Sequence, residues 1–272
     1  VMDKKLDNQE FAEHGATSDE DKFKLSDLKV IITNRGFWLI AILCVLFYSA
    51  VFPFYKYGPD LMVNKFGVSD KWSGLIPALV PFGTIFLTPL FGGIYDKKGK
   101  GATIMIIGAI LLIFVHFIYY LPAITNVYMA FVNAIILGIA FSLVPSAMWP
   151  SVPKIIPEKQ IGSAYAFIFW IQNFGLWGIP LLIGIVLERT NPGVADRIQE
   201  VMSKLNAQGL SGDQISEKVI LIKEAGEYPI YNYETTWMIF VGLTVLALIV
   251  AIMLKAEDKK KGYGLELPNI QK

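Results

Sequence analysis

The sequence predicts an all-α membrane protein with six transmembrane helices and a helical extramembrane insertion. Three observations predict it. Six apolar runs each reach the roughly 20 residues that a helix needs to cross a hydrocarbon core of about 30 Å. Charged residues make up 17% of the 272-residue chain and hydrophobic residues 54%, where a soluble domain carries roughly 25% charge. The Lys and Arg residues gather on alternate connections between the apolar runs. The formal net charge is +1, so no global field points to nucleic acid. Cys44 is the single cysteine, which excludes an intrachain disulfide and a cysteine-cluster metal site. No cofactor is expected.

Residues 1–24 are polar with mixed charge and read as a flexible tail, without a signal-peptide pattern. Leu25, Leu28, Ile31 and Ile32 then follow at helical spacing beside Asp27, Lys29 and Arg35. That pattern predicts a short amphipathic helix on the inner membrane surface, within a cytoplasmic segment 1–35. The spans are predicted at 36–55, 72–94, 102–121, 127–152, 161–187 and 237–254. The second, fourth and fifth are long, which implies tilt or kinks. Pro77, Pro81 and Pro89 lie in the second and Pro145 and Pro150 in the fourth, where neighbouring helices can satisfy the freed carbonyls.

Charge sets the expected orientation. Lys22, Lys24, Lys29 and Arg35 precede the first span, and Lys97, Lys98 and Lys100 join the second to the third. Lys154 and Lys159 join the fourth to the fifth, and Lys255 and Lys259 to Lys261 follow the sixth. On the other side, the short 121–126 connection has no basic residue, and the first connection has Lys56, Lys65 and Lys71, partly balanced by Asp60 and Asp70. The positive-inside rule therefore places both termini in the cytoplasm, with 255–272 as a cytoplasmic tail. Residues 188–234 form a water-soluble insertion on the outer face, between five spans in 36–187 and the last in 235–254. Ile198, Val201, Met202 and Leu205 repeat at helical spacing, as do Ile215, Val219 and Ile222, with a break at 209–212. A helical hairpin is expected there, as a structural cap or as a lid.

The connection after the second span reads Gly92-Gly93-Ile94-Tyr95-Asp96-Lys97-Lys98-Gly99-Lys100. It resembles the G-x-x-x-D-[KR]-x-G-[KR] loop of the major facilitator superfamily. The chemistry fits such a loop: Gly92 permits close helix approach, Asp96 can cap a helix N-terminus, and Lys97 and Lys100 hold the loop at headgroups. Residues 44–54 (CVLFYSAVFPF), 147–152 (AMWPSV), 157–165 (PEKQIGSAY) and 171–176 (IQNFGL) are similar to the C-terminal half of the lysosomal dipeptide uniporter branch of that superfamily and its bacterial relatives. The resemblance covers roughly residues 36–187. It implies that the chain is one half, the C-terminal six helices, of a twelve-helix carrier. An N-terminal six-helix half would be its partner, the bilayer its medium and a small solute its cargo. It also implies that Asp96 caps a helix in that other half, and a bacterial inner membrane is expected from the branch. The animal members work with a glycosylated accessory subunit and have a short loop where this chain has 188–234. The sequence therefore assigns no accessory subunit.

Polar and aromatic groups inside spans are the candidates for the solute site. Tyr48, Phe52 and Tyr55 share a face of the first span at i, i+4 and i+7. Ser142, Ser146 and Trp149 share a face of the fourth, with Asn133 nearer its outer end. Tyr165, Phe169, Gln172 and Asn173 share a face of the fifth. At 1.5 Å per residue, Tyr48 and Gln172 fall roughly 18 Å from their inner helix ends, near the membrane centre. The expected substrate-binding set is Tyr48, Phe52, Tyr55, Asn133, Ser146, Trp149, Phe169, Gln172 and Asn173; the expected conformational set is Gly92, Asp96, Lys97, Gly99 and Lys100. The same aromatics could instead be helix packing, and Gln172 and Asn173 could simply bond across helices. Trp149, close to the inner end of its span, could instead anchor at the interface, and Trp38 and Trp237 are expected only as interface anchors. His116 is expected as a packed or snorkelling histidine rather than a proton relay.

No Asp, Glu, Lys or Arg lies well inside a span. Uniport fits that pattern, and so does symport with the coupling acid in the other half. The leading reading is a facilitator of short peptides or amino-acid-like solutes by alternating access. An organic-anion exchanger would call for cations in the cavity, and a non-transporting receptor or scaffold would use the hairpin. An enzyme is not expected, because the chain has no phosphate loop, nucleophile elbow or metal-spaced cluster.

Overall fold

The computed structural model describes residues 25–270, with side chains from 28 onward; the tail expected over 1–24 lies outside them. A short helix α1 (Leu25–Thr33) stands where the amphipathic segment is expected. Its Ile31 is buried while Val30 and Ile32 are exposed. Six long apolar helices follow, each able to cross a membrane by length and hydropathy. They are α2 (Arg35–Phe66), α3–α4 (Asp70–Ser73 and Leu75–Lys98), α5 (Gly101–Tyr120), α6 (Val127–Ile155), α7 (Ile161–Thr190) and α10 (Glu234–Lys261). The hairpin between α7 and α10 is α8 (Val194–Ala207) and α9 (Gly212–Glu224). The chain is an all-α integral membrane protein, and no strand occurs among the described residues.

α2, α3–α4 and α10 outrun the expected spans at both ends, α6 and α7 at their C-terminal ends, while α5 matches its span to within a residue. α2 begins at a side-chain cap, with Phe37 N donating to Asn34 Oδ1 at 3.2 Å. It runs through Pro53 and Pro59 and stops where Gly67 turns left-handed at φ 65°. Those last turns stand beyond the 36–55 apolar run and carry Asp60, Asn64 and Lys65. They are helical because tertiary bonds hold them. Lys65 Nζ donates to the carbonyls of Tyr119 and Leu121, and Tyr233 and Asn64 both donate to the Asp60 carboxylate. Burial, with the Asp60 charge second, pushes the Tyr233 hydroxyl far above its ordinary pKa, so it remains a donor.

α2 is the most enclosed helix, 67% buried over its apolar window, whereas α3–α4 and α7 are each 17% buried. α2 packs on α6, α7 and α10, α6 on α4 and α5, and α5 on α10. Small residues set the close crossings, as expected of helices in lipid. A Cβ on Gly108 would lie 2.4 Å from Val144 Cγ2, and one on Gly175 would lie 2.5 Å from Ser49 Oγ. α4 and α7 turn long apolar faces outward, through Phe82, Ile85, Phe86 and Leu90 on the first and Trp170, Phe174, Trp177 and Leu181 on the second.

Trp237 corrects an expectation. It is not an interface anchor but a fully buried residue, with ring centroids 5.8 Å from Tyr119, 6.0 Å from Tyr233 and 5.0 Å from Phe240. Rings of α2 and α5, with Tyr233 just before it and Phe240 one turn on, enclose it. His116 is packed as one of the two expected alternatives, buried and stacked on Phe240 at 5.2 Å. Trp38 is half-buried, and its indole N–H donates to Ile32 O at 2.7 Å.

The hairpin is fastened at its base. Asn191 Nδ2 donates to Asn232 O at 3.0 Å, and Asn232 N donates back to Asn191 Oδ1 at 2.6 Å. Lys223 pairs with Asp70 at 2.7 Å, tying α9 to the start of α3. Ser211 and Gln214 form a capping box at the start of α9.

At the opposite end, rich in Lys, the expected tail is ordered. α10 continues to Lys261, and residues 262–270 fold back over the connection between α4 and α5. Leu265 is fully buried there. Gly99 shows how closely this strap lies. Its φ is +71°, and a Cβ on it would sit 2.4 Å from Glu266 O and 2.5 Å from Leu267 C. Gly92 has nothing within 4 Å of that position, so the close approach expected of it is not made inside this half. Gly99→Ala is therefore expected to cost about 2 kcal/mol through overpacking and a left-handed backbone, read as a lower thermal midpoint in detergent. Gly92→Ala should leave the midpoint of this six-helix chain unchanged. Equal midpoints for the two variants would contradict the docked strap.

Candidate functional site

The expected faces of α2, α6 and α7 meet in one aromatic cluster. On α2, the Tyr48 ring lies 5.5 Å from Phe52, and Phe52 lies 5.7 Å from Tyr55. From α6, Trp149 closes on α2 through its indole N–H, which donates to Tyr48 Oη at 3.2 Å. From α7, Tyr165 donates to the Trp149 carbonyl at 2.9 Å, and Phe169 stacks on Trp149 at 4.9 Å with 28° between planes. The cluster is open on one side: Phe52 is 40% and Phe169 50% exposed. Edge-to-face and offset contacts of this kind add directional stability to plain burial.

Phe141 joins the cluster without having been expected in it. Its centroid is 5.8 Å from Tyr48, 6.0 Å from Phe52 and 6.5 Å from Tyr55. A phenylalanine in an apolar helix carries no polar signal. Only its position two turns before Trp149 on α6 places it there.

The amides and hydroxyls divide into those already used and those not. Asn173 Nδ2 donates to Phe169 O at 2.8 Å within its own helix, and Ser146 Oγ donates to Leu143 O at 2.7 Å. Asn133 is buried between α5 and α6, donating to Val115 O at 2.9 Å; nothing joins it to the aromatic cluster. Ser142 likewise bonds its own helix, to Gly138 O. Three groups in or beside the α2–α7 seam are different. Ser49 Oγ, Tyr55 Oη and Gln172 Oε1 are buried and have no hydrogen-bond partner within the described chain. Leaving such groups unpaired costs on the order of 1–3 kcal/mol each, so they are the places where a solute or another helix gains most. Among the described residues, no Asp, Glu, Lys or Arg belongs to this face, and no cluster of His, Cys, Asp and Glu could hold a metal.

The expected conformational residues gather at the Lys-rich end. Asp96 accepts from Asn269 Nδ2 at 2.7 Å, and its carbonyl accepts from the main-chain N–H groups of Asn269 and Ile270, both at 3.0 Å. Lys100 adopts a left-handed backbone, φ 66°, and Lys97 is exposed. Sequence reasoning did not foresee the strap, since its residues are short, mixed in polarity and unlike a helix.

A further cavity of about 500 Å³ lies under the hairpin, lined in part by Lys65, Tyr119, Asn191, Arg197, Tyr231 and Glu234. It is remote from the aromatic cluster. Lys65 and Asn191 already bond to carbonyls there, so these groups support the hairpin base.

Comparison with known proteins agrees with this architecture. The Major Facilitator Superfamily description matches residues 4–179. The chain is 33% identical over 191 residues to the lysosomal dipeptide transporter MFSD1 of Gallus gallus, covering 69% of this chain and 40% of that protein. The Homo sapiens protein of the same name is 32% identical over 187 residues, covering 69% and 38%. The inner membrane transport protein YdiN of Escherichia coli is 24% identical over 166 residues, covering 57% and 37%. The chain thus spans about two fifths of the length of the curated relatives it matches. With six membrane-length helices, the superfamily loop at Gly92–Lys100 and this match over more than half its length, the chain belongs to the major facilitator superfamily.

Proposed function

We propose that this chain supplies the C-terminal wall of the central cavity of a twelve-helix carrier, which moves short peptides or amino-acid-like solutes by alternating access. The observation that carries the reading is the open face of α2, α6 and α7. It is aromatic and uncharged, and beside it Tyr55 Oη and Gln172 Oε1 are buried without partners. Polar groups inside a membrane are expensive and mark solute paths. Aromatic walls with a few hydrogen-bonding groups bind and orient small ligands. The outward apolar faces of α4 and α7 supply the surface on which a second half would pack. The solute class is supported by the names of the MFSD1 relatives, which are called dipeptide transporters.

In this reading Tyr48, Phe52, Phe141, Trp149 and Phe169 hold the apolar parts of the solute, and Gln172 and Tyr55 bond its amides. Asn133 and Ser146 support helix packing instead. The charged ends of a zwitterion meet partners on the other half. An organic-anion exchanger is less well supported, since no cation belongs to this face. A receptor built on the hairpin is also less well supported, because Asn191 and the Lys223–Asp70 pair bind the hairpin back to the membrane helices. The Lys-rich end faces the cytoplasm, in a bacterial inner membrane.

The test uses the carrier with both halves in liposomes and a radiolabelled dipeptide. Uptake is expected to saturate, and an imposed proton gradient separates uniport from symport, since this wall itself has no titratable group for coupling. Gln172→Ala should lower kcat/KM about tenfold, the equivalent of one solute hydrogen bond of about 1.4 kcal/mol. Tyr48→Phe should raise KM, because it removes the acceptor that holds the Trp149 indole. No uptake by verified, folded carrier would discard the dipeptide assignment. Gradient-driven uptake would move a coupling acid into the other half.

A further inference from the structure

The strap over residues 262–270 touches the ends of five membrane helices. Towards α2, the Tyr263 hydroxyl donates to the cap residue Asn34 at 3.3 Å, and its ring fills the space beside Gly36, 2.9 Å from a Cβ built there. Towards α4, it bonds Asp96 three times through Asn269 and Ile270. Towards α5, Lys100 N donates to Glu266 O at 2.9 Å and Gly101 N to Leu265 O at 2.8 Å. Towards α6, Lys154 Nζ donates to Leu267 O at 2.7 Å and to Gly264 O at 3.1 Å. Towards α10, Leu265 N donates to Asp258 Oδ1 at 3.0 Å.

Glu266 makes the most telling contact. The residue at the N-cap of α5 is Lys100, whose side chain makes no capping bond. Glu266 takes over that task from the strap. Its carboxylate accepts from Thr103 N at 2.9 Å and from Thr103 Oγ1 at 2.8 Å, with Lys255 3.7 Å away. A carboxylate at this position answers both the free amides and the positive end of the helix dipole. Of the superfamily loop, Asp96 bonds the strap, Gly99 yields its side-chain space to it, and Lys100 turns left-handed to present its N–H to it.

We propose that residues 262–270 are an intramolecular latch whose receptor is the Asp96–Lys100 loop, and that the latch makes the adjoining ends of α2, α4, α5, α6 and α10 move as one body. The Asp96 carboxylate then serves as a hydrogen-bond acceptor within its own half, not as a charge presented to the other half. Two consequences separate this from a merely stabilising tail. The charge of Asp96 is dispensable while its acceptor oxygen is not. Loss of the latch slows the conformational cycle without weakening solute binding.

The experiment uses the carrier with both halves in lipid nanodiscs and, for transport, in liposomes. Amide exchange is followed by mass spectrometry in five forms: wild type, residues 263–270 replaced by a Gly-Ser sequence of equal length, Glu266→Ala with Asn269→Ala, Asp96→Asn, and Asp96→Ala. The replaced and doubly substituted forms should lose exchange protection over 100–104 while the hairpin end is unchanged. In transport they should show a several-fold lower kcat with KM unchanged. Asp96→Asn keeps an acceptor for Asn269 and should match wild type in both readouts; Asp96→Ala should behave as the latch variants do. If the full replacement does not fold, the point variants decide alone. Protection that persists over 100–104 without the strap overturns the latch, and lost protection with an unchanged kcat overturns its mechanical role. An Asp96→Asn carrier as impaired as Asp96→Ala, with protection intact, returns Asp96 to the other half. The exchange readout needs no solute, so it stands or falls separately from the dipeptide assignment.

Discussion

The structure depends on the enclosure of α2. In lipid, helices gain little from burying apolar surface against one another, so close packing and hydrogen bonding must hold the bundle. α2 achieves this along its whole length. Ser49 and Val45 nest against Gly175, Phe54 packs on Tyr119 and Trp237, and Asn34 donates to the end of α6 at Ile155. Once α2 is central, α4 and α7 are left with one face each unpacked. The same placement brings Tyr48, Phe52 and Tyr55 against Phe141 and Trp149 of α6. The aromatic cluster and the outward apolar faces therefore have one cause.

The chemistry of the cluster follows from what it lacks. With aromatic faces, amides and hydroxyls but no charge, it can orient a solute through shape and a few directional bonds. It cannot compensate a full ionic charge. Recognition of ionic charge is therefore not a property of this face. The three unpartnered groups, Ser49 Oγ, Tyr55 Oη and Gln172 Oε1, are the polar atoms here that the described chain leaves unsatisfied.

Much of this was legible in the sequence, and the reasons are physical. The six spans are strong signals because a 30 Å hydrocarbon layer imposes length and polarity together. The shared faces of Tyr48, Phe52 and Tyr55 on α2 and of Tyr165 and Phe169 on α7 follow from helical period; the stacking of Phe169 on Trp149 across helices does not. Phe141 was not legible, since nothing in its identity separates a cavity phenylalanine from a packed one. Trp237 was misplaced because tryptophan at a span end usually meets headgroups, whereas here Phe54 of α2 and Tyr119 of α5 pack against it. Asn133 looked equivalent to Gln172 by polarity, yet its amide faces α5. The strap was invisible for a related reason: Glu266 caps a helix that starts 165 residues earlier, a partnership that no local pattern encodes.

The fastening of the hairpin has a consequence for how such proteins diversify. Asn191 and Asn232 bring the two ends of a 40-residue excursion within hydrogen-bonding distance of each other. To the membrane helices, the whole excursion is therefore equivalent to a tight turn. Length can be gained or lost above that staple without altering the path from α7 to α10. The excursion behaves as a cassette, free to change length and evolve at its own pace while the bundle beneath it stays fixed.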